Sequence, residues 1–350
     1  MTFKHVRMSA QLASAAAVIA IGAGLVPGSV QAGMQTGSGQ IVGAMAAPAM
    51  GAGPGVVFAW DMKTGKMARA SFGKASTTSG NSFRVALSPD DNKIYVPTPA
   101  GTTYVLDAKT MAQTGQFATL AGARLAALAP VEKLLIVMSD KGLAGYNTVA
   151  NKQVYSLDVG GNAIAFTPDG TRAFVGGNMS SKVTEVDLAT GVVLQTYDIA
   201  RSGDLAFVDG RLFSADMSTG VMSVLDPEMG KITQIKTPEV DPGFSYKAIA
   251  DAKAGFMEMA TDPGAHRLYV TGFSGNILSF DTQKPAYLGQ VAVNAVMGKP
   301  NKLSGIALTA QGKEALVTVE NQDMTVLVQL SDGKVIKQMP GVESNRWISL

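Results

Sequence analysis

Few residues in this 350-residue chain could do chemistry, and they are thinly spread. Cysteine is absent, which excludes disulfides, iron–sulfur clusters, thiolate zinc and covalent c-type haem. Of two histidines, His5 lies near the N-terminus and His266 stands in the polar turn of "TDPGAHRLYV". One such residue cannot assemble a multi-histidine zinc site. It reads as an exposed turn residue rather than an acid–base catalyst or metal ligand. No G-x-S-x-G elbow, phosphate loop or dinucleotide fingerprint stands in a strand–turn–helix setting, and "GAGPG" has no helix behind it. Asp90-Asp91-Asn92 offers oxygen ligands for Ca²⁺, but solvated turn acids are commoner. Met34, Met45, Met50, Met62 and Met67 are soft donors suited to Cu(I). They lack both Met-x-x-Met spacing and a partnering histidine, and read better as adaptable apolar filler. What remains is charge: Arg84, Asp204, Glu258 and Arg346, each near the start of a repeated apolar run.

The repeat is the element that must position them. In "IAFTPDGTRAFVGG" an apolar run meets Pro168-Asp169-Gly170, which supplies turn chemistry, and a second apolar run follows. After the polar "GNMSSK", the stretch "VTEVDLATGVVLQTYDI" gives a third strand, a Gly turn and a fourth strand. Four strands in about forty residues is the size of a propeller blade. The first half recurs as "VALSPDDNKIYV", "LAALAPVEKLLIV", "LAFVDGRLF", "MEMATDPGAHRLYV" and "IALTAQGKEALV". The polar residue before the turn of the second half is Asp61, Asp107, Asn147, Asp187, Asp226, Asp281 and Gln329, in steps of 46, 40, 40, 39, 55 and 48.

Seven units are visible, the first of which, at 56–72, has only its second half. The C-terminal "NRWISL" resembles the opening "FRVALS", so residues 345–350 are expected to supply an opening strand for that incomplete unit. "GQIVGAM" is the candidate for the remaining strand. Trp60 and Trp347 read as paired core residues of this closing blade. The fold class expected is therefore all-β: a seven-bladed β-propeller of four-stranded blades over residues 56–350, its ring closed by strands from both chain ends. Closure of this kind removes free sheet edges.

"SPDDNKIYV" or "TPDGTRAFV" followed by "VTEVDLATG" resembles the YVTN-type seven-bladed propellers of the quinoprotein amine dehydrogenase beta-chain-like group. The resemblance spans roughly residues 56 to 350. It rests on turn and core residues, so it speaks for fold and little for function. Members of the group range from enzyme subunits to binding proteins.

The N-terminus carries Lys4, His5 and Arg7, an Ala-rich apolar run to about Val26, and then "VQA" before Gly33. This is the pattern of a secretory signal peptide, residues 1–32, with an apolar run short for a membrane span. Its removal leaves 27 of the 29 basic residues against 27 acidic ones, with no electrostatic case for nucleic acid. Residues 33–55 are uncharged and rich in Gly, Ala and Met, and read as a flexible lead into the ring.

In a propeller the first strand of each blade lines the central channel, and the second-to-third loops share one face with the blade linkers. Binding residues are therefore expected from 97–101, 139–142, 176–182, 216–220, 272–276 and 320–324. The longest step contains an insertion, "KTPEVDPGFSYKAIADAKAGF", whose Phe244, Tyr246 and Lys247 are either part of a partner-binding loop or surface decoration. Aligned first strands bring Arg84, Asp204, Glu258 and Arg346 to the channel mouth. They act there either as ion pairs that satisfy the wall or as a polar cluster that orients a small ligand.

The function expected is that of an exported, periplasmic or secreted, non-catalytic propeller that binds a partner protein or small polar ligand on the channel-mouth face. The alternative implied by the resemblance is a propeller subunit of a periplasmic quinone-cofactor oxidoreductase, such as an amine or alcohol dehydrogenase complex. No metal and no cofactor is expected in this chain, nor a membrane span after cleavage.

Overall fold

Each blade begins with the same local event. Ala163–Phe166 runs into the Pro168-Asp169-Gly170 turn and Arg172–Gly176 returns antiparallel, Ala163 opposite Gly176 and Phe166 opposite Ala173. The Thr171 amide donates to Asp169 Oδ1 at 3.0 Å, and Gly170 sits at φ 68°, a left-handed value that glycine adopts without strain. In four other blades a non-glycine residue takes a left-handed position in this turn: Asn92 (φ 51°), Lys133 (64°), Asp209 (50°) and His266 (51°). The third-to-fourth-strand turns are tied by the polar residue that marks the repeat. Backbone amides two or three residues on donate to Asp107, Asn147, Asp187, Asp226 and Asp281.

The computed structural model describes residues 40–45, 55–61, 66–72, 84–88, 92–131, 133–245, 251–299, 301–322, 324–340 and 348–349. They form an all-β propeller of four-stranded antiparallel blades. Six blades are each built from four consecutive strands: residues 86–118, 125–157, 163–197, 202–236, 256–292 and 303–340, numbered here as blades 1 to 6. A further four-stranded sheet joins Ile348–Ser349, Gln40–Met45, Gly55–Asp61 and Met67–Phe72 in that order. Val42 and Gly43 pair with Ser349 and Ile348, and Gln40–Met45 pairs along its length with the strand that follows it. Gln40–Met45 lies within the stretch read as a lead. Residues 1–32, Arg346 and Trp347 lie outside the described residues, as do Tyr246 and Lys247. Among the described residues no helix is long and apolar enough to cross a membrane.

The core is not central but lies between blades. Phe174, Tyr197, Phe207 and Leu212 fill the gap between blades 3 and 4, and Phe213, Phe256, Leu268 and Phe280 that between blades 4 and 5. Val57 and Ala59 of the mixed sheet pack with Val85, Leu87, Ile94 and Leu106 of blade 1, while Ile348–Ser349 lies against Leu303–Leu308 of blade 6. Each fully buried aliphatic or aromatic side chain of this kind contributes about 1.5–3 kcal/mol. Repeated gap by gap, these side chains hold a chain that has no disulfide.

Candidate functional site

The first strands of blades 4, 5 and 6 share an irregularity that the turns do not show. In Ser202–Val208 the register with the second strand slips at Gly203, in Phe256–Asp262 it slips between Phe256 and Met259, and in Leu303–Leu308 between Leu303 and Ile306. A bulge breaks the regular ladder and re-aims side chains and amides. Here the re-aimed amides are met by carboxylates. Asp204 Oδ1 accepts from its neighbour Leu205 N at 2.9 Å, and Asp204 Oδ2 accepts from Met259 N of the next blade at 2.8 Å. Glu258 Oε2 in turn accepts from Ile306 N of blade 6 at 2.7 Å. The pattern advances by one blade each time, so each acid ties its own inner strand to the next.

Arg84 comes to the same place from blade 1. Its backbone pairs in parallel with the first strand of blade 2: Arg84 N donates to Arg124 O at 3.2 Å and Ala126 N donates to Arg84 O at 3.0 Å. Arg84, Asp204 and Glu258 are 5%, 3% and 2% exposed. Burial pulls the Arg84 guanidinium below its ordinary value, and the charges of Asp204 and then Glu258 pull it back. Because a guanidinium does not give up its proton, the outcome is a permanent buried cation that feels the charge of two carboxylates from blades 4 and 5. Three of the four residues expected at the channel thus meet electrostatically, and they do so as a buried charge network. The fourth, Arg346, lies outside the described residues.

The insertion between blades 4 and 5 is docked at its ends. Phe244 is half-buried against Met217, Ala252, Met257 and Phe273. The Gly243 and Lys253 amides both donate to the Asp241 carboxylate, at 2.9 and 2.8 Å. The residue that sequence reasoning missed is Glu239. Buried to 1% exposure, it accepts from Gly255 N and Ser274 N at 2.9 and 3.0 Å and from the Ser274 hydroxyl. Its partners stand 16 and 35 residues away, and no spacing marks them.

The turns of the opposite face carry their own pairs. His266 Nδ1 lies 2.9 Å from Asp209 Oδ2, which also accepts the Thr282 hydroxyl, so blades 4 and 5 are clasped there too. Arg172 bridges Glu185 at 2.9 Å and Glu228 at 3.1 Å across blades 3 and 4. Among the described residues no group of three or more His, Cys, Asp or Glu could hold a metal ion.

No protein-family model matches this sequence, and no curated protein matches it. Solved structures do match by fold. A functionally unknown protein from Desulfotomaculum acetoxidans superposes with a TM-score of 0.66 at 12% identity, over 89% of this chain and 98% of that one. A chain of Kuenenia stuttgartiensis hydrazine synthase superposes with a TM-score of 0.59 at 14% identity, over 72% of this chain and 77% of that one. At such identities the likeness is one of propeller architecture alone.

Proposed function

We propose that this chain is an exported, non-catalytic β-propeller of the YVTN type, which binds a small polar ligand or a partner protein on the face formed by its blade linkers and second-to-third-strand loops. In this reading the mixed sheet is the seventh blade of a ring closed by both chain ends, and residues 1–32 are removed on export. The observation that supports the binding reading is the burial of Arg84, Asp204 and Glu258, from three blades, within electrostatic reach of one another. Charges there interact more strongly than at the surface, and a zwitterionic or anionic ligand competes with their mutual pairing.

The acids also hold backbone amides, so the test uses substitutions that keep shape. A thermal-shift panel of amino acids, small carboxylates and amines is run on the protein beginning at Gly33. A ligand that raises the melting temperature of the parent must fail to do so with Glu258→Gln and Arg84→Lys. Lys109→Ala and Lys313→Ala, exposed on the opposite turns, must behave as the parent. Loss of the shift in the lysine variants, with the central ones unaffected, would overturn the placement. Deleting residues 345–350 tests the ring: an unchanged melting temperature and solubility excludes closure by the C-terminus.

A second reading, a propeller subunit of a periplasmic quinone-cofactor oxidoreductase, draws on the YVTN-type pattern. It is supported at fold level by the likeness to a hydrazine synthase chain. Co-purification of the natively expressed chain with a cofactor-bearing subunit favours it over the stand-alone binder.

A further inference from the structure

Blade 5 presents an unusual cluster of donors at the end where its second and third strands meet. Gly272, Phe273, Ser274 and Gly275 form a tight turn closed by Gly275 N donating to Gly272 O at 3.0 Å, with Gly275 at φ 88°. The Ser274 amide and hydroxyl point to one spot, and so does the amide of Gly255, which is locked beside them by Phe273 N donating to Gly255 O at 3.0 Å. Asn276 Nδ2 donates to Ser274 Oγ at 2.8 Å, which turns the hydroxyl proton toward that same spot. Gly272 forms the floor: a methyl group on it would come within 2.4–2.6 Å of the carboxyl atoms now resting there. Met217, Met257 and Phe273 form a buried apolar cluster beside Gly255 and Gly272, and the Lys302 ammonium stands 5.5 Å over the Phe273 ring. Three convergent donors, a floor without a side chain and an adjoining apolar cluster are the parts of a carboxylate receptor.

Its occupant is Glu239, which belongs to the linker and not to the blade. We infer that the Gly255–Gly272–Ser274 cradle is a carboxylate-binding site plugged by the chain's own Glu239, and that it accepts a small free carboxylate once that side chain is withdrawn. Burial raises the Glu239 carboxyl above its usual range, and the hydrogen bonds from Ser274 and Gly255 work against that by favouring the charged form. The plug also couples the site to the loop-bearing face. Gly220, at φ 65° in the blade 4 loop, lies so close to the Glu239 backbone that a Cβ there would meet Glu239 O at 2.7 Å. A carboxylate that displaces Glu239 therefore loosens the linker from both blade 4 and blade 5. The inference does not depend on the central charge network, and its failure leaves that reading untouched.

The test is chemical rescue in the full chain from Gly33. Glu239→Ala is expected to melt several degrees below the parent. Sodium formate or acetate at millimolar concentration should restore the loss saturably, with little effect on the parent. Adding Ser274→Ala to Glu239→Ala should abolish the rescue, because the hydroxyl donor is gone. Sodium chloride at matched ionic strength should restore nothing. Rescue by chloride as well as by formate, rescue that survives Ser274→Ala, or no rescue at all overturns the proposal. If Glu239→Ala does not fold, Glu239→Asp, which withdraws the carboxylate by one methylene, is scored by the same formate-against-chloride difference.

Discussion

Replacing Asp204 by alanine removes an acceptor from two backbone amides and a counter-charge from a buried guanidinium in one step. The Leu205 and Met259 amides, bonded at 2.9 and 2.8 Å, belong to buried residues and cannot turn to water. A buried donor left without a partner costs about 1–3 kcal/mol, so the two together cost about 2–6 kcal/mol. Breaking a buried ion pair costs about 3–5 kcal/mol. Glu258 still faces Arg84, so roughly half of that is charged to the variant. The total is about 4 kcal/mol at the low end, against about 5–15 kcal/mol for a whole domain. Asp204→Asn keeps one oxygen acceptor and loses the charge, so it should fall between parent and alanine variant. Urea unfolding followed by tryptophan fluorescence and circular dichroism measures all three. Arg84→Met removes the orphaned cation, so Asp204→Asn should cost less in its presence by at least about 1 kcal/mol, a coupling that independent sites do not show. An alanine variant within about 1 kcal/mol of the parent, or strict additivity with Arg84→Met, would refute both the clamp and the network.

Three further outcomes are expected. The Tyr155 hydroxyl is buried with no partner among the described residues and burial pushes it up to about 12, so Tyr155→Phe should equal the parent or exceed it by about 1 kcal/mol in urea unfolding. Glu239 binds its proton more tightly folded than unfolded. That contribution to stability is complete below the ordinary glutamate range and is lost as pH rises through the raised folded value; Glu239→Gln should flatten this part of the stability–pH curve, and an unchanged curve contradicts the burial. His266→Ala loses the Asp209 contact on the turn face, costs about 1 kcal/mol or less because the ring is 44% exposed, and should leave any ligand-induced thermal shift intact.

The blade was legible because its information is local. Pro168-Asp169-Gly170 and the Asp187 turn use residues within three or four positions of one another, so residue type and spacing carry the geometry directly. The same locality explains why His266 reads correctly as a turn residue: it shares both position and φ with Asn92. The Asp209 contact could not be read, since it joins turns 57 residues apart. Glu239 is the extreme case. It sits in a linker whose composition suggests a surface loop, and its burial follows only from the placement of Ser274 and Gly255.

The central residues fall between these cases. Radial repetition converts equal positions in sequence into a shared place in space, which is why aligning first strands selected Arg84, Asp204 and Glu258 together. What alignment could not show is that three consecutive inner strands carry bulges, since Gly203 is the one hint and Met257 gives none. Those bulges decide the chemistry. They present the Met259 and Ile306 amides to the acids, so a carboxylate that sequence alone offers equally to a ligand or to the wall is already holding the next blade. Binding and scaffolding are therefore separated by charge rather than by shape. The backbone amide asks only for an oxygen, which Glu258→Gln still supplies, whereas Arg84 and any polar ligand respond to the lost negative charge. A Glu258→Gln protein that keeps its fold and loses its ligand has a site at the centre of the ring; one that keeps both has a clamp there and nothing more.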